Sequence, residues 1–572
     1  MLLREKVFAG EGEIRADLVL KNCRIVNVNT KEITKGEIAI TSGYISGIGD
    51  VDELRGEKTE VIDINGAHVC PGLIDGHVHF ESSMLTLTQF AKESVLHGTT
   101  GIVIDPHEIA NILGTRGIKL VMQEARTLPL DVFVTIPSCV PSSPFETSGA
   151  KIGLKEVKKF LDRKFVVGLG EVMCYAEVLR GNTEKLAMID AALERKLVVD
   201  GHCPGMRGKE LFGYMGTGIS TDHESVAYEE ALEKVRLGMK LMLREGSAAK
   251  CLKEFLPELL HDSISLENFF FVTDDMHPGD LMKGHMDAIV REAIRLGVEP
   301  VQAVSMCTLN AARHYRIDQL VGSISTGRRA NLVILDDLEG FRIKNVIIKG
   351  KLNPKVKASK YPRYVFKTLR YKRIKPEDLR ISSGKKSVSA HVIEIMPRKL
   401  ITNGSIEELG TDGKAVLPDK ERDILPIAVV ERYGKGNIGR GFVRGFNLKE
   451  GAIGQSIAHD AHNIILAGTN FEDMALCANK IRELQGGIAI ARGKIINYLH
   501  LPFAGILSTE SAKSVDEKLK EMHRAAKMLG CTLASPFIQL SFLSLPVIPS
   551  LKITDKGLVD VDARKIIEPV YG

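Results

Sequence analysis

PGLIDGHVHFE (residues 71–81) sets two histidines one residue apart at the end of an apolar run. In an extended strand, residues i and i+2 point to the same side, so His77 and His79 aim two imidazoles at one point. The fold and the chemistry both turn on what else the chain brings there.

Downstream, short apolar runs alternate with amphipathic stretches. In TLTQFAKESVLHG, Leu87, Phe90, Ala91 and Val95 share one helical face and Gly98 closes it. The strand candidates, in order, are GLIDGHVHF, TTGIVIDPH, DVFVTIPS, FVVGLGEVM, LVVDGHCPG, GISTDHES, KLMLREGS and FFFVTDDMHP. Eight strands alternating with helices over about 250 residues have the dimensions of a (β/α)8 barrel, here residues 71–320; a doubly wound open sheet is the alternative. On either side, 1–70 and 321–352 alternate apolar and polar residues between Gly and Asn turns, and are expected to form one composite β-domain. A basic, proline-bearing stretch, 353–386, reads as a solvated linker rather than a nucleic-acid patch. Residues 387–572 mix strand-like and helical runs, as in a separate C-terminal α/β domain.

At 572 residues the chain exceeds what one core supports, and 44% hydrophobic with 26% charged residues is ordinary for a globular protein. The first 20 residues carry charges that interrupt any signal-like stretch, and no segment approaches the roughly 20 apolar residues of a membrane span. A cytoplasmic protein with no membrane partner is expected. Nine cysteines without a CxxC pair indicate neither a disulfide framework nor a cysteine zinc site, and a net charge of +5 is too weak to argue for nucleic acid.

Barrel chemistry sits at the C-terminal ends of the strands. Those ends carry His77, His79, Glu171, His202, His223 and Asp274. Any one of the histidines is by itself more often a hydrogen-bonded structural residue, and Glu171, Asp274 or Asp275 alone reads equally well as a helix cap. Four imidazoles and two carboxylates converging on one mouth are costly without a cation. Two metals sharing a bridging carboxylate satisfy the set, and with no thiolate present Mn, Fe and Zn all fit it. Such a pair, about 3.5–4 Å apart, ionises water near neutral pH. A neighbouring carboxylate can carry the proton to a leaving group. The reaction class is metal-assisted hydrolysis.

Together with GSISTGRRANLVILD (322–336), this set resembles the amidohydrolase superfamily. HVHFESSMLTLTQFAKESVLHGTTGIVIDPHEIANILG (77–114), LGEVM (169–173), TDDMHPGDL (273–281) and GQSIAHDAHNIILAGTN (454–470) resemble the adenine deaminases, the bacterial and archaeal family that hydrolyses adenine to hypoxanthine and ammonia. The resemblance implies that His77, His79 and Asp274 bind one metal and His202 and His223 the second. Glu171 bridges them, where many superfamily members place a carboxylated lysine. Asp274 doubles as the proton shuttle, with Asp275 competing for that register. The implied metals are Mn or Fe, with zinc also accepted, and the implied assembly is a homodimer acting on adenine. Protonation at purine N1 needs a donor, for which Glu81 is a candidate. Asp105, His107 and Glu108 (within DPHEIAN) either form an additional metal site, orient the ligand histidines, or simply start a helix. His459, Asp460 and His462 (within SIAHDAHN) close the mouth over substrate, bind another metal, or form a structural turn. The H-x-E and P-C-x-x-C signature of the zinc cytidine deaminases is absent. The rivals are another cyclic amidohydrolase, of dihydroorotase, hydantoinase or imidazolone type, and a non-enzymatic assembly protein that has lost its ligands. The filled ligand positions argue against the latter.

Overall fold

The computed structural model describes every residue except 248, 397, 398 and 572. Leu73–His79 (β1), Thr99–Ile104 (β2), Asp131–Ile136 (β3) and Val166–Val172 (β4) are buried at every position. Strands covered on both faces are the mark of a parallel sheet wrapped by helices. Val198–Gly201 (β5), Thr221–Asp222 (β6), Lys240–Arg244 (β7) and Phe269–Val272 (β8) complete the set.

β1 to β5 pair in parallel in chain order, as do β6 to β8. The Ser220 amide donates to the Val199 carbonyl at 3.1 Å, joining the edges of β5 and β6. Asp274 and Asp275, which continue β8, pair in parallel with Val78 and His79 of β1. The ring is closed, and the fold is a (β/α)8 barrel. Ile74, Val103, Phe133, Val167, Val198, Met242 and Phe270, from seven different strands, fill its interior as one cluster. A Cβ on Gly76 would lie 2.6 Å from the Phe270 ring, so β1 needs glycine there. Outside, helix Leu87–Leu96 buries Leu87, Phe90, Ala91 and Val95, the face its periodicity predicts.

Both flanks of the barrel build one eight-stranded sheet. Leu332–Leu335 run antiparallel to His68–Pro71, so strands separated by the whole barrel lie side by side. The C-terminal region forms a nine-stranded sheet with helices Phe471–Leu484, Ala512–Met528 and Pro536–Phe542. It sits over the barrel mouth: the Ser508 amide donates to the Met84 carbonyl at 2.7 Å, and the Thr147 amide to Asp555 Oδ1 at 2.8 Å.

Residues 353–386 differ from the solvated linker their charge suggests. Val365, Leu369, Tyr371, Ile374 and Leu379 are buried, and the Arg370 amide donates to the Arg432 carbonyl at 2.8 Å. Apolar residues spaced among the lysines and arginines dock this segment on the C-terminal sheet while the long basic chains stay in water.

Candidate metal centre and substrate cleft

His77 and His79 close β1, Glu171 lies near the end of β4, His202 and His223 directly follow β5 and β6, and Asp274 lies two residues past β8. The barrel brings all six together. Nε2 of His77 lies 3.1 Å from Nε2 of His79. His79 Nε2 is 3.2 Å from Glu171 Oε1 and 3.2 Å from Asp274 Oδ1. Glu171 Oε2 faces His202 Nδ1 at 2.7 Å and His223 Nε2 at 3.2 Å. The His77 and His223 rings stack at 4.5 Å.

His79 Nδ1 lies 3.0 Å from the Asp105 carbonyl, which can only accept. The ring proton therefore sits on Nδ1, and the Nε2 lone pair points at two carboxylate oxygens and another imidazole nitrogen. Three acceptors and the His77 nitrogen meeting at one point are satisfied by a cation between them, and a carbonyl orienting the far nitrogen is the usual support of a metal-binding histidine. Ligand atoms of His77, His79 and Glu171, and likewise of Glu171, His202 and His223, lie within 4.8 Å of one another. Glu171 belongs to both groups. The donor set of imidazole and carboxylate fits divalent cations such as Mn, Fe or Zn.

The electrostatics agree. Burial pushes the Glu171 carboxyl up, but His202, His223 and His79 outweigh it and hold it well below the usual range. Burial pushes His79 down, and Asp274 and Glu171 more than reverse that. The carboxylates thus demand positive charge at this point. Asp274 is likewise held low against burial, first by Arg244 and then by His77 and His79. Arg244 Nη1 contacts Asp274 Oδ2 at 2.7 Å, and the same guanidinium grips Glu224, with Nη2 3.1 Å from Oε2. Asp274 stands at φ +57°, a strained backbone for a non-glycine residue at the point where its carboxylate enters the cluster.

The register is therefore Asp274 in the cluster. Asp275 instead accepts a hydrogen bond from Ser82 Oγ and lines an adjoining cleft. Asp105 does not cap the helix that follows it: the cap position is Pro106, without a side-chain bond. Its carboxylate accepts the Glu171 amide at 3.0 Å while its carbonyl orients His79. A Cβ on Gly170 would come within 2.3 Å of that carboxylate, so glycine is what permits the approach. His107 Nδ1 lies 3.5 Å from Glu171 Oε1, and its Nε2 3.8 Å from Asp460 Oδ1.

Glu108 turns to the C-terminal domain instead, with Oε1 2.6 Å from His459 Nδ1 and Oε2 3.6 Å from His462 Nε2. The Ala458 amide donates to His462 Nδ1 at 3.3 Å, which leaves the proton of that imidazole on Nε2, facing Glu108. Burial pushes His462 down to about 3, so it is neutral. For His459, Glu108 overcomes burial and raises the ring to about 9. Ligand atoms of Glu108, His459 and His462 also lie within 4.8 Å of one another, but the Ala458 amide draws the His462 lone pair away from Glu108.

Beside the metal-ligand cluster lies a cleft lined by Glu81 and Asp275 of the barrel and by Gln455, His459, Phe537 and Phe542 of the C-terminal domain. The Phe542 ring stacks on His459 at 4.4 Å. Glu81 Oε2 is buried without a hydrogen-bond partner among the described residues. Burial, with the charge of Glu108, pushes its carboxyl up to about 8.

Residues 68–352 match the family model described as "Amidohydrolase family", and residues 399–565 match "Adenine deaminase C-terminal domain". The chain is 53% identical to a protein of Methanococcoides burtonii named adenine deaminase, over 100% of this chain and 98% of that protein. The chain belongs to the adenine deaminase family. Proteins of the same name from Archaeoglobus fulgidus and Dehalococcoides mccartyi are 42% and 41% identical, each over 99% of this chain. The candidate site also holds residues that sequence reasoning passed over. Arg244 and Glu224 lie at strand ends, the same signal that marked the histidines. Gln455, Phe537 and Phe542 carry no local signal and become visible only where the C-terminal domain meets the barrel.

Proposed function

We infer that this chain hydrolyses adenine to hypoxanthine and ammonia at a centre of two divalent cations. The observation that carries it is the shared carboxylate: Glu171 presents Oε1 to His79 and Oε2 to His202 and His223, one oxygen to each half of the site. His77, His79 and Asp274 would hold one cation and His202 and His223 the other. Bound there, the cations would supply the acidity that ionises water near neutral pH.

The chain's own residues do the rest. Asp274, kept ionised by Arg244, takes the proton of the attacking water at Oδ1 and returns it to the departing amine. Glu81, buried in the cleft with Oε2 uncommitted, holds a proton at neutral pH, delivers it to the ring nitrogen beside the attacked carbon, and takes back the remaining hydroxyl proton as the carbonyl forms. Asp105 fixes the His79 ring and the Glu171 backbone together. Phe537, Phe542 and Ile457 give the cleft the apolar walls that suit a flat heteroaromatic ring and exclude water. Manganese or iron is the proposed metal. The proposed setting is the cytoplasm: the nine cysteines are free, and among the described residues no helix is long and apolar enough to cross a membrane.

The test is direct. The protein, loaded anaerobically with Mn or Fe, is expected to convert adenine to hypoxanthine with one ammonia per turnover, and Glu171→Gln to abolish this. Bound metal without adenine turnover would redirect the assignment to a cyclic-amide substrate.

A further inference from the structure

Gln455 ends the strand Ala452–Gln455 and is 1% exposed. Its Nε2 donates to the carbonyls of Ile457 and Phe537, both at 2.8 Å. These two bonds use both amide protons. They also fix the orientation of the amide, because the flipped form would set an oxygen against two carbonyl oxygens. The remaining atom, Oε1, is buried and has no hydrogen-bond partner among the described residues. An acceptor left bare in this way is destabilising unless something fills it. Gln455 lines the same cleft as Glu81, Asp275 and His459, on the wall formed by Phe537 and Phe542.

Adenine has two kinds of N–H donor. The exocyclic amine sits on the carbon that reacts and is committed to the cluster that holds Glu171 and Asp274. The other is the single N–H of the five-membered ring, at the far end of the molecule. Gln455 comes from the C-terminal domain, not from the barrel that carries those two carboxylates, and it offers an acceptor only. We propose that Gln455 Oε1 accepts the imidazole-ring N–H of the purine, and so selects the free base over purines substituted on that ring. The inference rests on the deaminase assignment and adds a specificity-determining residue to it. A substituent on the ring nitrogen removes the donor and leaves Oε1 unpaired against carbon, the situation in which a hydrogen-bonding site discriminates most strongly.

The test compares kcat/KM for adenine with that for 7-methyladenine and 9-methyladenine, neither of which keeps an imidazole N–H. Metal-loaded wild-type enzyme is expected to favour adenine by more than about 100-fold. In Gln455→Met, adenine should lose about 10–100-fold, mostly through KM, while the methylated bases change little. The preference then collapses by at least about tenfold. A purely structural role of the Nε2 bonds would lower all three substrates together, so a preference that stays constant overturns the proposal. Gln455→Glu, which keeps an acceptor, should hold more of the preference than Gln455→Met; equal loss in both also overturns it. Wild-type protein that binds metal but leaves adenine untouched would overturn the deaminase assignment itself, and this inference with it.

Discussion

Replacing Lys234 by methionine should loosen the metal centre from a distance. Lys234 lies on helix Tyr228–Arg236 and is completely buried. Its ammonium donates to Asp222 Oδ2 at 2.9 Å, to Glu230 Oε1 at 2.5 Å and to the Cys203 carbonyl at 2.8 Å. Asp222 Oδ1 in turn accepts the Cys203 amide at 2.9 Å. One cation thus ties the residue before His223 to the residue after His202. Methionine keeps the length of the side chain but leaves two buried carboxylates without their partner, at about 3–5 kcal/mol. At about 2–4 °C per kcal/mol for a domain of this size, the barrel transition should fall by about 6–20 °C. The sign with pH follows from Asp222. Burial raises its carboxyl, but Lys234 and His223 outweigh this and hold it far below the usual range. In wild type its contribution is therefore full above the unfolded carboxylate pKa of about 4. Without Lys234 the folded value rises, so the deficit is full at neutral pH and shrinks as pH falls toward about 4. Calorimetry at pH 7 and pH 5, with metal counted per chain, reads both effects; bound metal should drop from about two to about one. Lys234→Met/Asp222→Asn should recover part of the loss. A melting temperature within 2 °C of wild type at pH 7, with metal content unchanged, would refute the reasoning.

Arg244→Met removes the cation that holds Asp274 Oδ2, and kcat should fall about 10–100-fold with little change in KM, measured by ammonia release. Phe542→Ala opens the cleft wall that stacks on His459, and should raise the KM for adenine about tenfold while kcat changes less. Lys552 is fully buried, and burial alone lowers its ammonium to about 7. Because the folded value lies below the unfolded one, wild-type stability should rise with pH between about 7 and 10.4. Lys552→Met should flatten that rise in thermal melts and be most stabilising below pH 7.

The site was legible in the sequence wherever a strand imposed geometry. The alternation of β1 put His77 and His79 on one side, and the rule that barrel chemistry gathers at strand ends located Glu171, His202, His223 and Asp274. Arg244 obeys the same rule but looks like an ordinary solvated charge until its partners, Glu224 and Asp274, are seen beside it. The TDD run gave no basis for choosing between its aspartates, because the choice depends on the positive φ at Asp274. The cleft wall was out of reach for a different reason. Gln455, Phe537 and Phe542 meet Glu81 across hundreds of residues of intervening chain, and no local pattern encodes that docking. In 353–386, charge and proline concealed Val365, Leu369 and Tyr371, whose burial is decided by the domain they pack against.

The central claim is the two-cation centre built around Glu171, and anomalous diffraction at the manganese edge from manganese-loaded crystals tests it most directly. Two peaks about 3.5–4 Å apart are expected, one on each side of the Glu171 carboxylate. A single peak at Glu108, His459 and His462, with none at Glu171, would contradict the account.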